Sequence, residues 1–372
     1  MPLPDYQLTV RSAQDGSVRI VLDGSAFEDV KYSRALNDVG VFSMTLPSDA
    51  DWPAVFSLDA LIDIERTSPL NGFLQTEDTY LVRLTHRFRN GNEERFVVGG
   101  LSLNHLLARR VVDPADDPLA AGGYSTKAGP ADDILSEYAD EQCGASASTQ
   151  RQFPNFSVTP SASVGATAGR RLRYDNLLEV FQDVVNQSNV DFIIFRVTDN
   201  ILRLTVAPIG TDRTRTRNYP GAPFVELNPT RGNLSDPSLL FDRKKEQNYV
   251  YALGQGPGES RIVSELEGAG ISDSPYNRIE FTTDVRTAER GDSTTLRTGA
   301  RAALYQASPK QEFTFKPTGA EPGNIYRLDW DIGDILTCAW DDEVIDLRVR
   351  EVEITLDNSG ETITPRLEPL NE

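Results

Sequence analysis

The chain of 372 residues is strongly acidic, with a formal net charge of −19, and it contains 39% hydrophobic and 8% aromatic residues. Its length indicates roughly two to four compact units, and its apolar content argues against general disorder. Because contacts with phosphate need patches of Lys and Arg, the charge excludes a chain that seeks nucleic acid or anionic lipid electrostatically.

Residues 1–112 are predicted to form a first small antiparallel β-barrel, because strand-like runs follow one another at short spacing with turn residues between them. The Asn90-Gly91 pair is a strong hairpin signal. Part of 208–245 is expected to complete this barrel. The strand-like runs are Tyr6–Arg11, Ser17–Leu22, Val41–Leu46, Leu58–Glu65, Tyr80–Phe88 and Glu94–Leu101.

Residues 113–207 are predicted to form an inserted α+β domain. A helix begins after Pro130, because Pro fits the first turn and the following acidic residues suit the positive end of the helix dipole, and it ends at Gly144. The Ser-, Thr- and Ala-rich stretch 144–169 is predicted to be a loop. The other predicted elements are a helix with an apolar face from Leu177 to Val185 and two strands, Asp191–Val197 and Ile201–Ala207, around Asp199-Asn200.

The rest of the chain is predicted to hold a loop-rich stretch, a second α+β segment and a second small antiparallel β-barrel. The stretch 210–243 is loop-rich, and the α+β segment covers 246–309. That segment ends in a helix from Asp292, a suitable N-cap, to Ser308. The second barrel covers 310–372. The strands expected from residue 246 onwards are Gln247–Leu253, Arg261–Glu267, Arg278–Thr283, Glu312–Lys316, Asp334–Ala339 and Val344–Leu356.

The glycine run Gly254–Gly258 follows a predicted strand and is the one segment that invites a nucleotide-binding interpretation. A dinucleotide fingerprint requires a helix directly after the glycines, whose N-terminus holds the pyrophosphate. Here Arg261-Ile262-Val263 has the pattern of a strand, so a hairpin loop is favoured. The sequence contains no Gly-Lys-Ser/Thr phosphate loop.

His86 and His105 are the only histidines, and His is the favoured general base near neutral pH. His86 lies in a predicted strand and His105 lies beside apolar residues, and neither has a metal-ligand partner three or four residues later. A structural role is favoured for both. A Ser–His–Asp site stays open, because its members meet only in space, but no Gly-x-Ser-x-Gly elbow supports one.

Two acidic clusters, Asp329/Asp331 and Asp341-Asp342-Glu343, are candidates for paired carboxylates that cleave a glycoside. Calcium binding is a further possibility, although the EF-hand spacing is absent. For Asp341-Asp342 a solvated turn between two strands is favoured.

The basic residues Arg213, Arg215 and Arg217 alternate with threonines, so an extended segment places all three on one face. A solvated edge strand, protected from aggregation by its charge, is favoured. The alternative is a surface that forms salt bridges with an acidic neighbouring subunit.

Two cysteines far apart, Cys143 and Cys338, form neither a disulfide framework nor a zinc pattern, which is compatible with assembly in the cytoplasm. The segment Met1–Asp5 lacks the features of a signal peptide, and no run approaches a membrane span. We therefore expect no membrane insertion by this chain.

Three interpretations of the acidity stay open: solubility, a channel wall that DNA passes without adhering, and adaptation to a salty medium.

Several segments resemble the tail-hub proteins of siphophages, in particular the minor tail proteins of actinobacterial phages. The likeness covers most of the chain and is weak at Met1–Asp51 and Gly144–Gly169. No catalytic signature is among the similar segments, so no catalytic, cofactor-binding or metal-binding residues are expected and the chain is not expected to be an enzyme. The similar segments are Phe96–Leu101, Leu106–Arg110, Leu227–Leu234, Asn248–Gly256, Asn277–Arg286 and Tyr326–Asp334.

The resemblance implies a mainly β fold with two small antiparallel β-barrels of tail-tube type and inserted α+β domains. It also implies a homotrimer whose six barrels form a pseudo-hexameric ring around a DNA channel in the virion tail tip, or baseplate, assembled in the host cytoplasm. The implied partners are the tail tube or distal tail protein, a central fibre or spike and the tape measure protein.

Two other functions stay open at this level. One is a tail-associated cell-wall hydrolase, although the sequence leaves little room for an additional C-terminal enzyme domain after its last predicted strand. The other is the equivalent hub of a contractile injection device or gene-transfer particle.

Overall fold

The structure is a computed structural model that describes residues 5–91, 93–198, 201–214, 224–286, 288, 291–318, 324–340, 343–357 and 359–370. Within these ranges the chain forms 21 strands, five α-helices and four short 3-10 turns. The predicted mainly β fold with α+β insertions is confirmed.

The N-terminal β unit contains seven strands in the order β2-β1-β5-β6-β7-β4-β3, with antiparallel neighbours throughout. Gly91 has a positive φ of 61° at the tip of the β6–β7 hairpin, as a glycine at a tight turn allows. The elements are β1 (Tyr6–Arg11), β2 (Val18–Asp23), β3 (Asp29–Ala35), β4 (Val41–Pro47), α1 (Trp52–Val55), β5 (Leu61–Thr67), β6 (Leu74–Asn90), β7 (Glu93–Ser102) and α2 (His105–Ala108).

The first insertion packs two helices against two small sheets, β8–β10 and β11-β12-β9. Both predicted helices are confirmed, and Asn176 caps the second by accepting hydrogen bonds from the amides of Leu178 and Glu179. The elements are a 3-10 turn (Pro114–Asp116), β8 (Ser125–Pro130), α3 (Ala131–Cys143), β9 (Phe156–Val158), β10 (Thr167–Leu172), α4 (Leu177–Val185), β11 (Asp191–Thr198) and β12 (Ile201–Ala207).

The predicted loop 144–169 is wrong in part, because it contains β9 and the start of β10. β9 pairs in parallel with β12, more than forty positions away along the chain. Such pairing depends on distant residues, whereas the local Ser, Thr and Ala composition shows no alternation of apolar and polar residues.

The second insertion is a three-stranded sheet, β16-β15-β17, covered by one helix. Asp292 caps this helix through the amide of Thr295, as its sequence position predicts. The remaining elements of the chain are β13 (Glu226–Leu227), β14 (Leu234–Asp242), β15 (Tyr249–Leu253), β16 (Val263–Glu267), β17 (Glu280–Asp284), α5 (Ser293–Gln306), β18 (Lys310–Pro317), β19 (Ile335–Trp340), β20 (Glu343–Asp357) and β21 (Gly360–Pro369).

The C-terminal β unit has the order β14-β18-β21-β20, with β19 placed between β20 and β13. The expectation that part of 208–245 completes the first β unit is wrong for the described strands of that stretch. β13 pairs with β19 and β14 pairs with β18, so both belong to the second unit. The proline-rich sequence hides these strands, because it lacks a regular alternation.

The two β units are parts of one 13-stranded sheet and share one hydrophobic core. They join through β20, which is 15 residues long. Its first half pairs with β19 and its second half pairs with β3. Fully buried side chains on both sides of this seam, including Tyr32, Val352 and Ile354, belong to the common core. The second half of β20 therefore fixes how the two units lie relative to each other.

None of the helices in the described ranges is long and apolar enough to cross a membrane.

Candidate functional site: the junction between the β units and the ends of the sheet

A cluster of charged and tyrosine side chains lies where the two β units meet. We call it the junction cluster. Its members come from the strands of the N-terminal unit, from the loop before β19 and from the start of β21, and are Tyr6, Tyr32, Arg34, Arg66, Glu77, Asp78, Tyr326, Arg327, Asp331 and Glu361.

Arg34 on β3 connects the first unit to the loop before β19. Its guanidinium lies 2.7 Å from Oδ1 of Asp331 and donates a hydrogen bond of 2.6 Å to the hydroxyl of Tyr326. The Arg34 side chain is only 8% exposed. A buried guanidinium requires partners of this kind, because its desolvation is costly. The Arg34 contacts therefore fix the loop against β3.

Arg66 on β5 makes a second connection, this time to the start of β21. Its Nε and Nη2 atoms lie 2.7 and 3.0 Å from the two carboxylate oxygens of Glu361, a bidentate arrangement that fixes orientation as well as distance. Tyr6 on β1 donates a hydrogen bond to the same carboxylate. The Arg66 guanidinium also lies 5.6 Å from the ring centroid of Tyr326.

Two acidic members of the junction cluster have pKa values shifted in opposite directions. Burial raises the pKa of Asp331, but Arg34 and Arg327 outweigh it and hold that pKa below its ordinary value. Burial raises the pKa of Asp78 to about 6, because the opposing effect of Arg34 is smaller there. Glu77 accepts a hydrogen bond of 2.6 Å from the Tyr32 hydroxyl. Asp331 and Glu77 contact arginines across the junction, Arg34 and Arg327, and so help to hold the two units together.

The first insertion is attached to the N-terminal unit by two asparagine side chains. Oδ1 of Asn37 accepts from the amide of Phe192, and Oδ1 of Asn104 accepts from the amide of Ile194, each at 2.8 Å. Both acceptors thereby take the place of a neighbouring strand along β11. Asp191, at the start of β11, also forms an ion pair with Arg348 on β20.

The two histidines lie apart from this cluster. His86 is an exposed residue of β6 whose ring stacks on Phe88 with centroids 5.3 Å apart. His105 is the first residue of α2, and burial lowers its pKa, with Arg109 and Arg83 lowering it further. The structure does not bring the two histidines into one site.

The glycine run lies in the hairpin between β15 and β16, as its sequence context predicts. A 3-10 turn, Gly258–Ser260, leads into β16, and the two strands pair antiparallel. No helix follows the glycines directly, so the arrangement differs from a dinucleotide site.

Of the acidic and basic residues noted in the sequence, Asp331 and Arg213 form ion pairs within the chain. Asp331 belongs to the junction cluster, and Asp329 accepts a hydrogen bond from the amide of Ile325. Arg213 lies 2.7 Å from Asp334. Glu343 is the first, exposed residue of β20, and the remaining predicted positions, Arg215, Arg217, Asp341 and Asp342, lie outside the described residues.

Both cysteines are free and buried. Burial raises the pKa of the Cys143 thiol to about 12 and also raises that of Cys338. In the described ranges no group of three or more His, Cys, Asp and Glu side chains is arranged to hold a metal ion.

The main path of the large sheet ends at β2 and β14, each of which pairs with a single neighbour among the described residues, and a short branch through β19 ends at the two-residue β13. Both carry exposed apolar side chains: Val18 and Val21 on β2, and Leu240 and Phe241 on β14. An end strand with unpaired backbone groups and apolar side chains favours pairing with another chain. The sequence predicted the strand β2 but not the strand β14. It also gave no sign that these two strands lie at the ends of the sheet.

The fold is that of phage tail proteins. It is similar to a tail protein from Neisseria meningitidis MC58, with TM-score 0.56, 13% identity and coverage of 98% of this chain and 96% of that one. It is also similar to the 43 kDa tail protein of prophage MuSo2 from Shewanella oneidensis, with TM-score 0.59, 10% identity and coverage of 98% of each chain. A third similar structure is the prophage tail protein gp18 from Listeria monocytogenes, with TM-score 0.53, 9% identity and coverage of 99% and 95%.

The chain belongs to the family of Siphovirus ReqiPepy6 Gp37-like proteins, whose sequence model matches residues 9–367. The resemblance to siphophage tail proteins that the sequence indicates is thereby confirmed. No curated protein matches the chain significantly.

Proposed function

We propose that the chain is a structural hub protein of the tail tip, or baseplate, of a tailed virus. Three copies form a pseudo-hexameric ring that encloses the DNA channel. The ring joins the hexameric tail tube or distal tail protein on one side to a threefold central fibre or spike on the other, and it contacts the tape measure protein. The chain then resides in the virion after assembly in the host cytoplasm.

The observation that carries this proposal is the joining of two β units by the β3–β20 seam in one sheet. If each unit acts as one barrel of tail-tube type, three chains supply six such units and can match a sixfold tube while keeping threefold symmetry. The shared core and the junction cluster support the role, because adapting one symmetry to another requires the two units to keep a fixed relation.

The ring needs a contact that repeats from copy to copy, and the ends of the sheet are suited to it. β2 and β14 are different strands, so a contact between β2 of one copy and β14 of the next is head to tail. Head-to-tail contacts generate closed rings when the rotation between copies is suitable.

The net charge of −19 fits a channel that DNA passes without specific binding. Carboxylates on the channel wall repel phosphate and make none of the ion-releasing contacts that hold DNA to a protein. This part of the proposal predicts Asp and Glu on the inner wall of the assembled ring. A basic or neutral inner wall in an image of the ring would contradict it while leaving the hub role intact.

We propose a non-catalytic role. Membership of a siphovirus family and the fold of tail proteins support it. So do the contacts of the residues that could have formed a catalytic site: Asp331 is ion-paired, and the two histidines lie on separate elements.

Native mass spectrometry of the purified chain, alone and mixed with the tail-tube or distal tail protein of the same particle, tests the proposal. We expect a trimer in at least one of these samples, and a threefold ring at the tail tip in electron micrographs of the particle. A chain that stays monomeric in both samples, or that lies elsewhere in the particle, would contradict the hub function.

A further inference from the structure

A groove of about 760 Å³ lies on the first insertion, between α3, the 3-10 turn Pro114–Asp116 and the end of β9. Its volume is within the range of roughly 300–1,000 Å³ that is usual for sites that enclose a ligand. Pro118, Val158 and Pro160 supply apolar surface, so the groove suits a ligand with both apolar and polar groups.

The polar lining of the groove is negative. Arg151 contacts one of the lining carboxylates and Lys127 contacts two others. Asp133 and Asp140 have only neutral hydrogen-bond partners in the described part of the chain, such as the hydroxyls of serines. No described lining residue is Lys, Arg or His, and the lining carboxylates are Asp116, Asp133, Glu137, Asp140 and Glu141.

Two buried polar atoms at the groove have no hydrogen-bond partner among the described residues. Ser136 on α3 lines the groove and is only 9% exposed, yet its Oγ makes no hydrogen bond within the described residues. Oε2 of Glu141, whose side chain is 12% exposed, likewise has no hydrogen-bond partner there. Buried polar groups are normally hydrogen-bonded, and leaving one unsatisfied costs free energy. A ligand with N–H donors that reach these oxygens would recover that cost.

The groove also follows the free edge of a strand. β9 pairs only with β12 among the described residues. The amide of Thr159, just after β9, bonds the carbonyl of Leu204 on β12. Consecutive residues of a strand direct their backbone N–H and C=O groups to opposite edges. Because the amide of Thr159 faces β12, the backbone groups of Val158 face away from β12. Val158 also lines the groove. An extended peptide can pair with such an edge.

We propose that this groove binds an extended peptide segment of another protein that carries Lys or Arg side chains. The cationic groups pair with the carboxylates of α3, a donor of the peptide satisfies Ser136, and the intervening apolar side chains contact Pro118 and Pro160. A free metal ion fits less well, because no described group of ligands is arranged to hold one.

Fluorescence anisotropy with two labelled hexapeptides tests the proposal on the full chain. One peptide alternates Lys with Val and the other alternates Glu with Val. We expect only the Lys peptide to bind. Glu137→Gln, at a side chain that is 61% exposed, should weaken binding by at least about threefold, since one carboxylate is lost from the groove.

Ser136→Ala supplies an independent readout. This substitution should weaken the binding of the Lys peptide. It should also raise the melting temperature of the unliganded chain, because it removes a buried hydroxyl that has no hydrogen-bond partner among the described residues. A merely structural role for the hydroxyl would lower the melting temperature instead and leave binding unchanged.

The matched control is Glu179→Gln, an exposed carboxylate on α4 of the same insertion and outside the groove. Carbodiimide crosslinking then locates the peptide. Crosslinks from its lysines to Glu137 or Asp133 support the proposal. Equal loss of binding in Glu179→Gln, crosslinks only to other carboxylates, or crosslinks that join two copies of this chain through the groove would each overturn it.

Discussion

Asp78 and Asp331 show how neighbouring charges decide the pKa of a partly buried carboxylate. Both belong to the junction cluster and both lose solvation there. The pKa of Asp331 is lowered because Arg34 and Arg327 lie beside it, whereas the pKa of Asp78 rises to about 6 because burial dominates. One carboxylate therefore stabilises the fold in its ionised form and the other in its neutral form.

Asp78→Asn is expected to make the protein more stable at neutral pH. Because the folded state binds the Asp78 proton more tightly than the unfolded chain does, the stability of the natural protein falls as pH rises from about 3.8 to about 6. Asn cannot ionise and retains the oxygen that accepts from the Thr79 amide. We expect a gain of about 1–3 kcal/mol above pH 6 and almost none below pH 4, measured by urea unfolding across that range.

Asp331→Asn is the control of opposite sign within the same cluster. The lowered pKa of Asp331 contributes stability above its unfolded pKa, and that contribution disappears as pH falls through the folded value. This variant should therefore be less stable than the natural protein at pH 7. A pH-independent effect of Asp78→Asn would contradict the assigned protonation.

The junction cluster could not be predicted residue by residue from the sequence. Arg34 and Asp331 are 297 positions apart, and nothing near either residue indicates its partner. The sequence did draw attention to Asp331 as one of two nearby carboxylates, but as a candidate for catalysis. Only the folded sheet brings Arg34 to it and makes the pair structural.

At the scale of elements, local signals predicted what local forces determine. The helix α5 follows from Asp292 as its cap and from apolar positions at helical spacing, and both signals act within a few residues. In contrast, β3, β14 and β21 were missed. The partner of β14 is the distant β18. β3 and β21 each have one partner in an adjacent hairpin, β4 and β20, and one distant partner, β20 and β18. Burial by the distant partners, more than local pattern, makes them strands.

Close approach of two chain segments makes Gly210 a critical position. A Cβ atom added there would lie 2.1 Å from the carbonyl carbon of Gly333, and the φ of Gly210 is +88°. Since backbone cannot move aside as a side chain can, Gly210→Ala should separate the segment after the first insertion from the loop before β19. We expect a loss of more than about 3 kcal/mol in urea unfolding.

Gly232→Ala is the matched control for this effect. Gly232 also has a positive φ of +71°, but an added Cβ would meet nothing within 4 Å. Its substitution should cost only the backbone strain of about 1–2 kcal/mol. Equal losses in the two variants would show that strain, and not the contact with Gly333, determines the effect.

At the scale of the whole molecule, the continuous sheet explains why the two β units were predicted separately from sequence but fold as one body. The predicted boundaries place strands at both ends of the chain and α+β segments between them. The alternation of apolar residues along β20 shifts by one position between Val349 and Val352, where the pairing with β21 is also irregular. That shift does not identify β19 and β3 as the partners of the two halves, because both partners lie elsewhere in the chain. The domain boundaries themselves stay a prediction.

The ends of this sheet provide the last prediction, which rests on the proposed ring. Val21 on β2 is 49% exposed and Phe241 on β14 is 57% exposed, so replacing either by Lys should leave the folded chain intact. If copies pair through these strands, a Lys at the contact is desolvated without a partner, and Val21→Lys or Phe241→Lys should abolish the trimer in native mass spectrometry.

The control is Val263→Lys on β16, at an equally exposed position (51%) on the end strand of a different sheet. Circular dichroism and melting temperature should match the natural protein in all three variants. A trimer that survives both sheet-end substitutions would place the contact between copies elsewhere, and loss of the trimer in the control as well would show that added charge alone disrupts it.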